Sequence, residues 1–219
     1  FDQTAEVAKD IIVRPSFNDK ELQIYCSKRK QGLTIERKKI DVQSRELFGK
    51  ALFGESHPYG MSSDESEYDN IRREDLVELY NKLYTSDNCF VVCSGKVDQN
   101  VRDTIEQIAL SLPAGHTHKT EMPTPTTTHQ IFKEDSNALL SSIRIGRLLF
   151  ARNHPDFVGM QVVATALGGY FGSRRMQNLR EEHGYTYGVM AAMVNFDSEG
   201  YLAIATQVGA EVTDEALRQ

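Results

Sequence analysis

The sequence predicts an α+β fold, with antiparallel sheets and helices packed on one face. Two observations carry this. Helical and strand-like segments are mixed without the regular strand–helix–strand alternation of a doubly wound sheet. Two strand-like runs, Tyr187–Asn195 and Tyr201–Val208, flank Asp197-Ser198-Glu199-Gly200, which is the pattern of a hairpin. A third observation divides the chain. Residues 113–128 hold Pro113, Pro123 and Pro125, many threonines and few apolar side chains, the composition of a linker. The division is therefore a first domain over 1–112, a linker over 113–128 and a second domain over 129–219, incomplete at its C-terminal end.

The elements follow in order. Ala5, Val7, Ala8, Ile11 and Ile12 place an apolar stripe on a helix over Thr4–Val13, which Pro15 ends. Asn18 with Glu21 three residues on is a capping-box pattern, and it opens a long polar helix from Asp19 to about Leu52. Gly32 and Gly49 are its expected points of weakness. His57-Pro58-Tyr59-Gly60 is a turn. Leu76, Leu79, Tyr80 and Leu83 are the inward positions of a helix over Glu74–Tyr84. The valine-rich run Asn88–Gly95 reads as a buried strand, and Asp98 caps a helix over Val101–Leu110. After the linker, His129–Lys133 and Ala138–Ile145 read as strands, Asp156–Leu167 as an apolar helix led in by Pro155, and Ser173–Glu182 as a short basic helix.

Composition excludes several classes. A formal charge of −6 disfavours a nucleic-acid partner, and the clusters Lys28-Arg29-Lys30 and Arg37-Lys38-Lys39 sit among acidic neighbours as solvated faces. No apolar run is long enough to form a transmembrane segment. Cys26, Cys89 and Cys93 are an odd count, so they read as small hydrophobes and not as a disulfide framework. Opening on Phe1 and closing inside a helical pattern at Gln219, the sequence reads as a piece of a longer polypeptide.

Zinc peptidase chemistry needs two or three nitrogen or oxygen ligands and a base beside the metal-bound water. Neither His-x-x-Glu-His nor a longer-spaced variant occurs. Of the six histidines only His116 and His118 are close, and they lie in the linker as a solvated pair. Gly168, Gly169 and Gly172 follow a helix and lack the G-x-G-x-x-G order, so they read as close-packing positions and not as a phosphate loop.

The segment from Leu167 to Gly188, LGGYFGSRRMQNLREEHGYTYG, puts Arg180 at a helix end and Tyr187 seven residues later, past Gly184. It resembles the second-domain signature of the pitrilysin/insulinase family of zinc metallopeptidases. RPSFNDKELQ from Arg14, ALFGESHPYG from Ala51 and YTSDNCFVVCSGKVD from Tyr84 extend the resemblance over most of the chain. It implies mitochondrial processing peptidase-like domains, the latter half of one followed by most of another. It also implies that Arg180 and Tyr187 bind the backbone of a peptide substrate. A catalytic relative would carry its third zinc ligand, a glutamate, where this chain has Gln23, a neutral amide and a poor ligand. Glu21 is on another helix face. The resemblance therefore implies a non-catalytic member without a metal site or catalytic residue of its own. It would work as a homo- or heterodimer with a zinc-bearing peptidase chain, the zinc lying in that partner or in an upstream segment. Two alternatives stand beside it. One is an active zinc metalloendopeptidase whose metal motif lies upstream of residue 1. The other is a scaffold subunit without peptidase work.

Overall fold

The computed structural model describes residues 1–118 and 120–219. The chain divides into two compact units, residues 1–32 with 64–121, and residues 33–63 with 122–219. This grouping by contact follows different boundaries from the linear division at the linker.

The first unit is helical. Helix α1 (Asp2–Val13) is followed by α2 (Asp19–Glu36), whose N-terminus is capped by Asn18: its Oδ1 accepts from the N–H groups of Lys20 and Glu21 at 2.9 and 3.2 Å. Helices α4 (Glu67–Asn70), α5 (Arg73–Leu83) and α6 (Gln99–Leu110) complete the unit. Asp98 caps α6 by accepting from Val101 N–H at 3.0 Å. The hydroxyl of Tyr80 donates to Ile12 O at 2.7 Å, and its ring meets Phe17 edge-on at 5.5 Å, tying α5 to the end of α1.

Two expectations fail here. The run around Cys89–Cys93 forms no strand: it finds no ladder partner among the described residues, and Phe90 is 88% exposed. Cys89 and Cys93 are likewise exposed, whereas Cys26 is buried. A valine-rich run states a preference for the pleat, but a strand exists only where a neighbour offers matching N–H and C=O groups. The same holds for residues 129–133, which are irregular.

The second unit is built on a three-stranded antiparallel sheet. Its strands are β1 (Leu140–Leu149), β2 (Val189–Asn195) and β3 (Gly200–Gly209), in the order β1-β3-β2. The β2–β3 hairpin expected from the turn at 197–200 is present. Its loop is closed by Phe196 N–H donating to Glu199 O at 2.8 Å.

Register sorts the side chains by face, because neighbours directly across a ladder share one side. Val189, Thr206 and Ile143 form one row, and Ala191, Ile204 and Ile145 the next. This face holds the core, where Leu179, Val189, Val208 and Ala216 are buried together. It is covered by α7 (Phe157–Ala164), by α8 (Arg174–Met176) and by α9 (Thr213–Arg218). The opposite face carries the rows Met190–Ala205–Arg144, Ala192–Ala203–Gly146 and Val194–Tyr201–Leu148. Of the described helices, α3 (Ile40–Phe53) packs on it, along β1.

The long polar helix expected to run to Leu52 is thus two helices. The break falls at the turn 37–39, where Lys39 N–H donates to Glu36 O, and not at either glycine. Gly32 and Gly49 stay helical. Helix α3 turns onto the sheet because its Phe48 finds a seat there. A Cβ on Gly146 would stand 2.6 Å from Phe48 Cζ and 2.2 Å from the carbonyl oxygen of Leu202. Glycine at 146 is therefore what lets α3 sit down on β1.

The linker is held at both ends. Ser86 N–H donates to Pro113 O at 2.9 Å and Gly115 N–H to Asp87 Oδ2 at 2.9 Å, within the first unit. Thr126 N–H donates to Phe53 O at 3.0 Å and Thr128 N–H to Ala51 O at 2.7 Å, within the second.

Substituting Gly146→Ala tests the seat of α3. The added carbon meets backbone and the half-buried Phe48 ring, so the variant is expected to lose about 1–3 kcal/mol of stability. A urea midpoint unchanged from wild type would contradict this packing.

Candidate functional site

Between α3 and the open part of the sheet lies a cleft of about 770 Å³. Its floor is made of small side chains, Ala192, Ala203 and Ala205, beside Gly188. Its wall is α3, through Asp41, Arg45 and Phe48. Its outer margin is β2, an edge strand among the described residues.

The aromatic end of the cleft is rigid. Phe53 contacts His57, Tyr59 and Tyr201 at centroid distances of 5.0 to 5.9 Å, and Tyr59 stacks on Phe196 at 3.7 Å. His57 is 1% exposed. Its Nδ1 accepts from Tyr59 N–H at 3.1 Å, so the proton of the neutral ring sits on Nε2, which faces Glu199 Oε2 at 3.8 Å. This ties the His57–Gly60 turn to the β2–β3 loop. Gly54, at φ 87°, turns the chain out of α3 to make that approach.

Polar contacts fasten α3 to β1. Arg144 pairs with Asp41, its Nε donates to Ser44 Oγ at 2.9 Å, and Ser44 and Ser142 share a hydrogen bond of 2.7 Å. Arg45 lines the cleft without an ion pair among the described residues. Burial pushes the Tyr201 phenol above its usual range, against a smaller opposing pull from Arg144 and Arg45.

Tyr187 stands at the mouth and is 98% exposed. Its backbone is nonetheless fixed from both sides. Thr206 Oγ1 donates to Thr186 Oγ1 at 2.9 Å, Thr186 Oγ1 donates to Gly188 O at 3.0 Å and accepts from Gly188 N–H at 3.1 Å. Thr186 is buried. Upstream, the chain leaves its helix through Gly184 at φ 67°, and Tyr185 N–H donates back to Leu179 O at 2.9 Å. A phenol is thus held out in water on a rigid base.

Arg180 comes from a π-helical turn, Gln177–Glu182, that continues α8. Its guanidinium lies 4.4 Å from the Phe171 ring centroid, and its Nε faces Glu181 at 3.6 Å. Arg180 does not line the cleft that Tyr187 borders. A second π-turn, Thr165–Gly169, ends α7 and brings Gly168 against the strand, where a Cβ would stand 2.7 Å from Ala191 N. The two π-turns bracket the glycine-rich loop, and π-turns gather at functional sites. Sequence periodicity gave no sign of them, nor of the Thr186–Thr206 knot, which joins residues 20 apart.

Gln23 is an exposed residue of α2 in the first unit. Among the described residues no group of three or more His, Cys, Asp and Glu side chains is placed to hold a metal. His116 and His118 are both exposed. Among the described residues, no helix is long and apolar enough to cross a membrane.

Such a sheet-and-helix unit, with its glycine-rich loop, is that of a peptidase-like domain. Residues 70–219 match the family described as the peptidase M16 inactive domain, and the chain belongs to that family. No curated protein matches the sequence closely enough to serve as a relative. Solved structures match throughout. A peptidase M16 inactive domain from Pseudomonas fluorescens superposes with a TM-score of 0.91 at 22% identity, over 98% of this chain and 53% of its own. A chain of complex III2 from Candida albicans gives 0.71 at 14% identity, over 94% of this chain and 50% of its own. Pitrilysin gives 0.65 at 16% identity, over 98% of this chain and 24% of its own. The chain thus spans about half the length of the first two and a quarter of pitrilysin. At these identities the likeness is one of fold.

Removing the Thr206 hydroxyl tests the base of Tyr187. Thr206→Val is expected to cost about 1 kcal/mol in urea unfolding and to speed amide exchange at Tyr187. Unchanged exchange there would mean that the threonine pair does not fix the mouth.

Proposed function

We propose that this chain is a non-catalytic, peptide-binding half of an M16-type peptidase. An extended peptide adds to the free edge of β2. Main-chain hydrogen bonds then give affinity, and alternate side chains face the alanine floor. Tyr187 donates its phenol proton to a peptide carbonyl at the mouth. Arg180, whose Nη groups make no hydrogen bond or ion pair among the described residues, donates to a second carbonyl further along the peptide. Hydrolysis belongs to a zinc-bearing chain with which this one assembles.

The observation that carries this reading is Tyr187, a large aromatic side chain fully in water on a backbone pinned at both neighbours. A tyrosine serving stability would be packed. The likeness to a chain of complex III2 favours a second reading, a scaffold subunit. Peptide binding separates the two, since a scaffold has no need of it.

Fluorescence anisotropy with a labelled, unstructured peptide and the full chain is the direct test. Tyr187→Ala is expected to weaken binding about tenfold, or about 1.4 kcal/mol, and to leave the melting temperature unchanged. Arg180→Ala is expected to weaken it by a similar factor. Wild-type affinity in both variants would remove these residues from the site. Elemental analysis of the full-length protein, purified without chelator, is expected to find zinc well below one per chain. A full equivalent would restore the reading of an active peptidase.

A further inference from the structure

The cleft has a chemical preference that its overall shape does not explain. Three charged side chains line it, Asp41, Arg45 and Arg144. Asp41 and Arg144 neutralise each other. Arg45 has no ion pair among the described residues, so the cleft carries one uncompensated positive charge. Beside it lies the Tyr201 phenol, which makes no hydrogen bond among the described residues and is close enough to Arg45 to feel its field. The two groups are different kinds of donor. The guanidinium is a charged fork, and the phenol stays neutral because burial opposes its ionisation. Around them the floor is alanine at 192, 203 and 205, and the one carboxamide on this face of β3 that lines the cleft, Gln207, lies six residues along the strand from Tyr201.

A charged donor and a neutral donor set over an apolar floor match a carboxylate, which accepts on both oxygens. They repel an ammonium or a guanidinium. Tyr201 pairs across the ladder with Val194 near the far end of β2, whereas Tyr187 precedes the strand at its near end. A strand-like ligand lying along β2 spans roughly 20 Å over seven residues, so both ends are engaged by one peptide.

We propose that Arg45 and Tyr201 form an acid-selecting subsite: the bound peptide is one with small or aliphatic side chains facing the floor and an acidic residue, or its own C-terminal carboxylate, at the Tyr201 end. This rests on the peptide-binding reading above and adds the substrate class to it.

The test uses the full chain and three labelled, unstructured peptides of alternating alanine and valine, with Glu, Gln or Lys at one position. Wild type is expected to bind the Glu peptide about tenfold more tightly than the Gln peptide, about 1.4 kcal/mol. The preference should shrink at high salt, since Arg45 is exposed. Arg45→Gln is expected to erase the preference for the Glu peptide over the Gln peptide. Arg45→Glu is expected to shift the preference to the Lys peptide. Tyr201→Phe keeps the ring among Phe48 and Phe53 and is expected to lower the preference about threefold. A Glu-extended and a C-terminally amidated version of the same peptide separate a side-chain acid from the chain terminus. Equal affinity for Glu and Gln peptides, unaffected by Arg45→Gln, would overturn the acid subsite and leave peptide binding standing. Binding of none of the peptides would remove both. Self-association abolished by Arg45→Glu, with no peptide binding, would assign this face to a second copy and likewise overturn the proposal.

Discussion

The seating of α3 on β1 is the contact on which the second unit depends. It is a short-range fit of Phe48 into the space left by Gly146, locked by Asp41 to Arg144 and by Ser44 to Ser142. Had α3 lain centrally it would have covered β3 and β2, and the sheet would have had two closed faces. Lying along β1, it leaves the alanine rows only half-buried and the β2 edge free among the described residues. The cleft is the unoccupied half of a sheet face, and its depth is set by how small the floor residues are. A larger side chain at 192, 203 or 205 would fill it without disturbing the core, which lies on the other face.

The other face explains why an open cleft is tolerated. Leu179, Val189 and Val208 are buried on one side of the sheet, and Gly168 lets the end of α7 approach Ala191 at backbone distance. The hairpin and its covering helices form a packed layer independent of what binds above. Burial on one face and exposure on the other is the ordinary economy of an antiparallel sheet. What is not ordinary is that the exposed face here is apolar and lies next to an unpaired edge, where proteins usually place charge. Among the described residues, the one unpaired charge over it, Arg45, comes from the helix and not from the strands.

Much of this was legible in the sequence. The hairpin announced itself through alternation and its turn, and Asn18 and Asp98 were readable as caps because capping is a local contact. Arg180 and Tyr187 stood out through their glycine-rich surroundings. What escaped reading was non-local. Residues 89–93 have the composition of a strand, but pairing depends on a neighbour that the run itself does not encode. The break between α2 and α3 falls on Arg37–Lys39, which are sound helix formers, because Phe48 draws α3 onto the sheet. Gly32 and Gly49, the weaker positions by propensity, remain helical, since propensities differ by about 1 kcal/mol and tertiary packing exceeds that.

The exposed Tyr187 brings these strands of argument together. Side-chain freedom at a binding residue costs roughly 0.5–1.5 kcal/mol on immobilisation, and a mobile backbone would add to it. Here the backbone contribution is already absorbed by the fold, through Gly184, Tyr185 and the Thr186–Thr206 pair. The phenol has two rotatable angles and no competing partner among the described residues. At the other end of the cleft, Tyr201 is the opposite case: its ring is packed among aromatics and its hydroxyl alone is free to bond. One tyrosine is held by its backbone and the other by its ring. Between them lies a floor whose alanines offer shape but no side-chain hydrogen bonds, so a ligand's specificity falls to the polar groups around it.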